Sequence, residues 1–80
     1  MSHSAESLQP YEPGTPVAWK WGAHEAYGEI EEVHTSRVER VIKGSRIVRN
    51  GTPERPAYLI RQENGQTVLK LHTELEAFKP

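Results

Sequence analysis

The sequence predicts an all-β domain that closes into a small barrel. The stretch from Gly14 to Val33 has two runs of alternating apolar and polar residues on either side of a short loop, as expected for a β-hairpin. Further along, β-branched and aromatic residues come in short runs separated by Gly, Pro and Asn, which is the spacing of an all-β unit. Eighty residues with 35% hydrophobic side chains allow one domain with a thin core.

Two strands are predicted in the opening hairpin, over 15–21 and 27–34, with a loop at 22–26. Side chains alternate along a strand, so one face of the first strand carries Val17, Trp19 and Trp21. In the second strand, Ile30 is the expected core anchor. Gly28 lies inside that strand and normally weakens it, so it predicts a bulge or a tight bend at a corner of the barrel.

A second hairpin is predicted from the nearly palindromic segment Val41 to Val48, with Gly44-Ser45 at the centre of its turn. The competing interpretation is a helix, because Val38 and Ile42 also follow helical spacing. Gly44 and the abundance of Val and Ile lower the helix propensity of this segment, so the hairpin is favoured.

The C-terminal half contains further turn signals and apolar runs. The predicted order is a loop at 50–56, a strand at 57–61, a hairpin turn at Asn64-Gly65, a strand at 66–71 and, from the Thr-x-x-Glu pattern at 73–76, one helical turn carrying Leu75 and Phe78. Residues 1–13 are mostly polar, so a disordered N-terminal tail is expected before a barrel at 14–80.

Composition narrows the class of protein. The absence of cysteine excludes disulfide bonds and thiolate metal sites, so self-association into a homodimer is the remaining easy support for so small a core. The N-terminus lacks the features of a signal peptide, and no apolar run reaches the roughly 20 residues of a membrane span. We therefore expect a cytoplasmic protein that makes no membrane contact.

Five short motifs occur in order along the chain: Gly14-x-x-Val17-x-Trp19, Gly28-x-Ile30, Pro56-x-Tyr58-x-Ile60, Gly65 and Glu74-Leu75. Together they resemble the hypervirulence-associated protein TUDOR domain family, over roughly residues 14 to 78. The resemblance implies an SH3-like, TUDOR-type barrel of about five strands with a short C-terminal helical turn, in a family whose molecular function is largely uncharacterised. The residues expected to be structural are Trp19, Gly28, Ile30, Tyr58, Ile60, Gly65 and Leu75. Where many members carry a His followed by a basic residue, this chain has Lys70-Leu71, with His72 displaced.

Charge is unevenly distributed along the chain. From Arg37 to Arg61 there are seven arginines and lysines but two glutamates, whereas the rest of the chain is acidic. A turn at Gly44-Ser45 would place Lys43 opposite Arg46 and Arg40 opposite Arg49, and like charges directly opposite destabilise a strand pair, which suggests an anionic partner such as a phosphate backbone. The alternative is that Glu29, Glu31 and Glu32 neutralise the hairpin. The candidate contacts for a partner or nucleic acid are Arg37, Arg40, Lys43, Arg46 and Arg49.

The aromatic residues divide into core and surface candidates. Trp19 and Tyr58 are expected to pack in the core, whereas Trp21 and Tyr27 flank the first loop and are candidate exposed contacts. With Glu25 as an acidic neighbour, Trp21 and Tyr27 are candidates for an aromatic cage around a methylated side chain.

The remaining residue patterns do not indicate catalysis. The four histidines lack the spacing of a zinc site and are expected on the surface, so no metal and no cofactor are predicted. The chain has no Cys, no Asp and no Gly-x-Ser-x-Gly motif, which argues against an enzyme. The leading expectation is a non-catalytic binding module for a protein partner or for itself. The alternatives are nucleic-acid binding through the basic hairpin 37–49 and aromatic-cage recognition.

Overall fold

The structure is a computed structural model that describes residues 10–77. These residues form seven β-strands and one 3₁₀ turn: β1 Pro16–Trp21, β2 His24–His34, β3 Arg37–Ile42, β4 Ser45–Asn50, β5 Ala57–Gln62, β6 Thr67–Leu71, the 3₁₀ turn His72–Glu74 and β7 Glu76–Ala77. Five antiparallel strands make one sheet in the order β6-β5-β2-β1-β7, and β3 and β4 form a separate hairpin. The all-β prediction is confirmed.

The five-stranded sheet curls into the small SH3-like barrel that the sequence predicts. Its two edge strands, β6 and β7, are joined only by the 3₁₀ turn and Leu75, so the edges must approach each other. The residues buried together inside are Val17, Trp19, Ile30, Tyr58, Ile60 and Leu75. Five of these six, Trp19, Ile30, Tyr58, Ile60 and Leu75, are among the residues expected from the sequence to be structural.

Gly28 is required by a close backbone approach. A Cβ atom at this position would lie 2.7 Å from both the Arg61 carbonyl oxygen and Ile60 Cγ2, closer than real Cβ contacts come. The bulge that bends β2 lies between Ile30 and Glu32, two residues beyond the glycine. The sequence thus predicts a bend in the correct strand but places the bulge too early.

Strand β5 is buried on both faces, which explains its continuous apolar run. Tyr58 and Ile60 point into the barrel, whereas the alternate residues Ala57 and Leu59 belong to a second cluster. That cluster also contains Val38, Leu69, Ile42, Ile47 and Leu71. The β3–β4 hairpin is therefore an insertion between β2 and β5 that packs against the outside of the barrel.

The turn of the β3–β4 hairpin lies one residue earlier than predicted. Ile42 pairs with Ser45, so the central residues are Lys43 and Gly44. Both have positive φ, 53° and 79°, as a type I′ turn requires. This turn continues the right-handed twist of the two strands.

The same shift corrects the predicted pairing of like charges. Arg40 lies opposite Ile47, and Arg49 lies opposite Val38. The pairs Lys43 with Arg46 and Arg40 with Arg49 are wrong, so charge repulsion across the hairpin gives no argument for an anionic partner.

Of the two short hairpin connections in the barrel, the first differs from its predicted form and the second agrees with it. The first loop is a tight turn at Gly22-Ala23, because β2 already begins at His24. The predicted turn at Asn64-Gly65 is confirmed: Gly65 has a φ of 87°, and the Gln62 N–H donates to the Gln66 carbonyl at 2.8 Å.

The C-terminal helical turn begins earlier than the predicted Thr73. The Leu71 N–H donates to Glu74 Oε1 at 2.7 Å, so Glu74 caps the 3₁₀ turn. Glu76 then pairs with β1 as part of β7. Phe78, predicted to belong to this turn, lies outside the described residues.

The described chain makes ordered contacts before the predicted barrel boundary at Gly14. The Tyr11 N–H donates to the Tyr58 hydroxyl at 2.9 Å, and the Tyr11 ring stacks on His72 with centroids 4.8 Å apart. Residues 1–9 of the tail predicted for residues 1–13 lie outside the described residues. Within residues 10–77, no helix has the length and apolarity to cross a membrane, and the cytoplasmic location stays a prediction.

Candidate functional site

The β3–β4 hairpin has one face against the barrel and one face towards solvent. Alternation along the strands directs Val38, Arg40, Ile42, Ile47 and Arg49 towards the barrel. The opposite face, which we call the hairpin outer face, carries Arg37, Glu39, Val41, Arg46, Val48 and Asn50. The five predicted basic contacts are therefore divided between the two faces and the turn.

Arg40 and Arg49 connect the hairpin to the barrel. Arg40 Nη2 donates to Glu32 Oε1 on β2 at 2.8 Å, and Arg49 Nε lies 3.5 Å from Glu74 Oε1 in the 3₁₀ turn. Both guanidinium groups thus lie between two elements of the same chain. We call these two ion pairs the clasp, since they supplement the apolar packing beneath the hairpin.

The same two arginines also cover the open edges of the hairpin. With Ile42 and Ser45 closing the turn, Glu39 and Val48 form a non-hydrogen-bonded pair, so their backbone groups point outwards. Arg40 Nη1 donates to the Glu39 carbonyl at 2.9 Å, and Arg49 Nη1 donates to the Val48 carbonyl at 3.0 Å. A strand from another chain would have to displace these side chains before it could pair here.

The hairpin outer face combines an exposed aliphatic side chain with partly neutralised arginines. Val41 is 71% exposed, and Val48 is its diagonal neighbour on the same face. Glu39 lies between Arg37 and Arg46, with N–O distances of 3.5 Å and 3.3 Å. None of the ion pairs described in residues 10–77 involves Lys43 at the turn.

Of the three β2 carboxylates that the sequence offers to neutralise the hairpin, Glu32 forms a described ion pair with it, through Arg40. The hydrogen bond with His34, at 2.8 Å, and then the one from Arg40 hold the pKa of Glu32 below its ordinary value, against the opposing effect of desolvation. Glu31 lies instead 3.9 Å from Arg61 of β5. The other carboxylates that pair with hairpin arginines are Glu39 and Glu74, from β3 itself and from the 3₁₀ turn.

Trp21 and Tyr27 are both exposed, but they lie on opposite faces of the β1–β2 hairpin. Trp21 pairs with His24, whereas Tyr27 pairs with Ala18. The Trp21 and His24 rings are 6.3 Å apart. The structure therefore does not bring Trp21 and Tyr27 around one cation.

Tyr27 borders an open cleft of about 430 Å³ with an acidic rim. Its hydroxyl donates to Glu25 Oε1 at 2.8 Å, and this hydrogen bond raises the pKa of Tyr27. Glu29 and Glu63 also line the cleft, together with Arg61. The exposed Tyr27 thus has acidic neighbours, whereas the β3–β4 hairpin is basic.

A buried polar contact between Tyr58 and His72 is absent from the sequence-based expectations. The Tyr58 hydroxyl accepts the Tyr11 N–H and, in the tautomer whose Nδ1 carries no proton, donates to His72 Nδ1 at 2.9 Å. Burial raises the pKa of Tyr58, which keeps the hydroxyl protonated as a donor. His72 is 8% exposed, so its expected surface position is wrong. Its place directly after the apolar strand ending in Leu71 was the signal for burial.

The family of this chain follows from a comparison of its sequence with protein-family models. The model described as the hypervirulence-associated proteins TUDOR domain matches residues 14–75, which is most of the chain. This chain belongs to that family. No curated protein and no solved structure matches it. As a TUDOR domain, it falls into a class of small binding modules.

Potential metal ligands are dispersed within the described part of this TUDOR domain. No three His, Cys, Asp or Glu side chains of residues 10–77 converge in a way that could hold a metal ion.

Proposed function

We propose that this TUDOR domain is a non-catalytic module that binds a protein partner through the hairpin outer face. The observation that carries the proposal is the 71% exposure of Val41. The other face of the same hairpin packs against the barrel and is held there by the clasp. An apolar centre with a charged rim is the usual anatomy of a protein interface. Here Val41 and Val48 supply the centre, and Arg37 and Arg46 supply the rim.

The attachment of the hairpin to the barrel supports the hairpin outer face as the binding surface. The hairpin is tied to the barrel by the clasp and by the apolar cluster beneath it, so its outer face is presented without loss of backbone freedom on binding. Trp21, at the end of the β1–β2 hairpin, is a separate exposed aromatic side chain, of the kind that often dominates binding energy.

Nucleic-acid binding is the second candidate, and Lys43 is the observation that favours it. Lys43 projects at the turn with no carboxylate partner among the described ion pairs. However, binding along a phosphate backbone requires several cations on one accessible surface, and two of the four hairpin arginines, Arg40 and Arg49, are held against the barrel by Glu32 and Glu74. A nucleic-acid function predicts an affinity that falls steeply with salt and is weakened for all sequences alike by Lys43→Glu.

Self-association is the other form of protein binding, and it has to be distinguished from binding to a different protein. Arg40 and Arg49 cover the hairpin edges, so a dimer formed by strand addition is disfavoured. Sedimentation equilibrium over a wide protein concentration range tests this point, because a dimer would raise the mean mass with concentration.

Site-specific photocrosslinking in cells that make the protein tests the main proposal. A photoreactive amino acid replaces Val41 in one variant and Arg55, which is exposed in the loop before β5, in the matched control. We expect a discrete protein adduct at position 41 that is absent at position 55 and is lost when Arg46→Glu is added. Equal adducts at both positions, or adducts to nucleic acid alone, would contradict the proposal.

A further inference from the structure

We infer that Glu39 occupies the place of a partner carboxylate, and that the partner presents an acidic segment with aliphatic side chains to the hairpin outer face. This inference rests on the proposed function and specifies its partner class. The partner's carboxylate would replace Glu39 between Arg37 and Arg46, while an aliphatic side chain covers Val41.

The geometry around Glu39 is that of a weakly held, shared carboxylate. Its Oε1 lies 3.5 Å from Arg37 Nη1, and its Oε2 lies 3.3 Å from Arg46 Nη1. Both arginines are largely exposed, at 63% and 72% of their side chains, and exposed ion pairs of this kind contribute little to stability. A second carboxylate can therefore take either guanidinium at small cost.

The charge of the hairpin outer face indicates which class of partner is complementary to it. One glutamate faces two arginines there, and Lys43 at the adjoining turn adds a further positive charge. A second copy docked through the same face would bring like charges together, whereas an acidic segment would be complementary. The exposed Val41 between these cations favours a peptide with aliphatic side chains over a phosphate backbone.

The covered edges define how such a segment binds. Arg40 and Arg49 donate hydrogen bonds to the backbone carbonyls of Glu39 and Val48. The acidic segment therefore lies across the hairpin outer face and contacts side chains instead of extending the sheet. Substitutions on the outer face should therefore change binding without loosening the hairpin, since the clasp residues lie on its other face.

The test is an amide-resolved NMR titration with a short synthetic peptide of alternating Glu and Val. A peptide of alternating Lys and Val and a short DNA duplex serve as comparison ligands. We expect shifts from the Glu and Val peptide confined to residues 37–48, and about threefold tighter binding by Glu39→Gln, since a weak internal competitor is removed. The matched control, Glu31→Gln, makes the same charge change beside Arg61 and should leave the affinity unchanged.

A second variant tests the apolar part without touching Glu39. Val41→Thr keeps the shape and the strand preference of the side chain but removes its apolar character, and we expect it to weaken peptide binding about threefold. Equal tightening by Glu39→Gln and Glu31→Gln, shifts outside 37–48, or stronger binding of the duplex would overturn the inference. A protein adduct at position 41 together with no response to the Glu and Val peptide would overturn only the acidic partner, and leave the proposed function standing.

Discussion

Replacing Tyr58 by Phe tests the buried polar contact that joins the N-terminal segment, β5 and the 3₁₀ turn. The ring of Tyr58 is fully buried, and Phe keeps that ring, so the substitution opens no large cavity. Two hydrogen bonds are lost: the one from the Tyr11 N–H and the one with His72 Nδ1, each 2.9 Å long. In the wild-type protein, no buried side-chain N or O atom of residues 10–77 lacks a partner.

The expected loss of stability follows from the groups left without partners. A buried polar group that loses its hydrogen bond costs about 1–3 kcal/mol. His72 is 8% exposed and bears the larger cost, whereas water reaches the half-buried Tyr11 more easily. We expect Tyr58→Phe to lower the free energy of unfolding by about 2–4 kcal/mol. That is a large part of the roughly 4–12 kcal/mol typical of a chain of this size.

Urea unfolding followed by tryptophan fluorescence measures this loss, since Trp19 is buried in the same core and reports its opening. Tyr27→Phe is the matched control, because it removes a hydroxyl whose hydrogen bond to Glu25 lies at the surface, and it should cost less than about 0.5 kcal/mol. The slope with denaturant should stay unchanged in both variants. A loss below about 0.5 kcal/mol for Tyr58→Phe would refute the reasoning.

Three further predictions concern the hairpin and its connections. Gly51→Ala would place a Cβ against the His34 carbonyl oxygen, so calorimetry should show destabilisation of about 1–3 kcal/mol, and an unchanged melting temperature would count against the packing. Arg49→Gln breaks the clasp and should lower stability more than Arg46→Gln, whose side chain is mostly exposed; equal effects in urea unfolding would show that the clasp contributes nothing. The pKa of Glu32 is lowered, first by His34, so its contribution to stability is present above its ordinary pKa of 4.5 and is lost as the pH falls through the folded value. Glu32→Gln should therefore flatten the acid limb of the stability profile, and an unaltered limb would contradict this assignment.

The strands of the barrel could largely be predicted from the sequence because their packing is reflected in local patterns. Alternation of Val17 and Trp19 identifies β1, and the apolar run from Ala57 to Ile60 identifies β5. The run also reflects burial on both faces of β5, but only the structure shows that the second face lies beneath the hairpin.

The hairpin pairing could not be predicted because two neighbouring turns fit the same palindrome. Moving the turn from Gly44-Ser45 to Lys43-Gly44 keeps each side chain on its face but shifts its cross-strand partner by two positions, so Arg40 meets Ile47 instead of Arg49. Residue preferences for turns exclude neither position. Lys43 adopts a positive φ although it is neither Gly nor Asn, so its identity does not rule out the observed turn. The local sequence pattern therefore does not distinguish the two turns.

The sequence predicts the basic part of the candidate site as a set of residues, with Glu29, Glu31 and Glu32 as the carboxylates that would neutralise it. Charge counting cannot show that Arg40 and Arg49 form the clasp, because their partners Glu32 and Glu74 lie on other elements of the fold. His72 was misplaced for the same reason, since its partner Tyr58 lies on another strand.

The most direct test of the central claim is the solvent exposure of valine methyl groups, measured by paramagnetic relaxation from an inert soluble probe. In the free protein, the Val41 methyls should relax strongly and the Val38 methyls weakly, because these two side chains lie on opposite faces of β3. Adding the partner captured at position 41 should protect Val41 and leave Val38 unchanged. Strong relaxation of Val38 in the free protein, or an unprotected Val41 in the complex, would contradict the account.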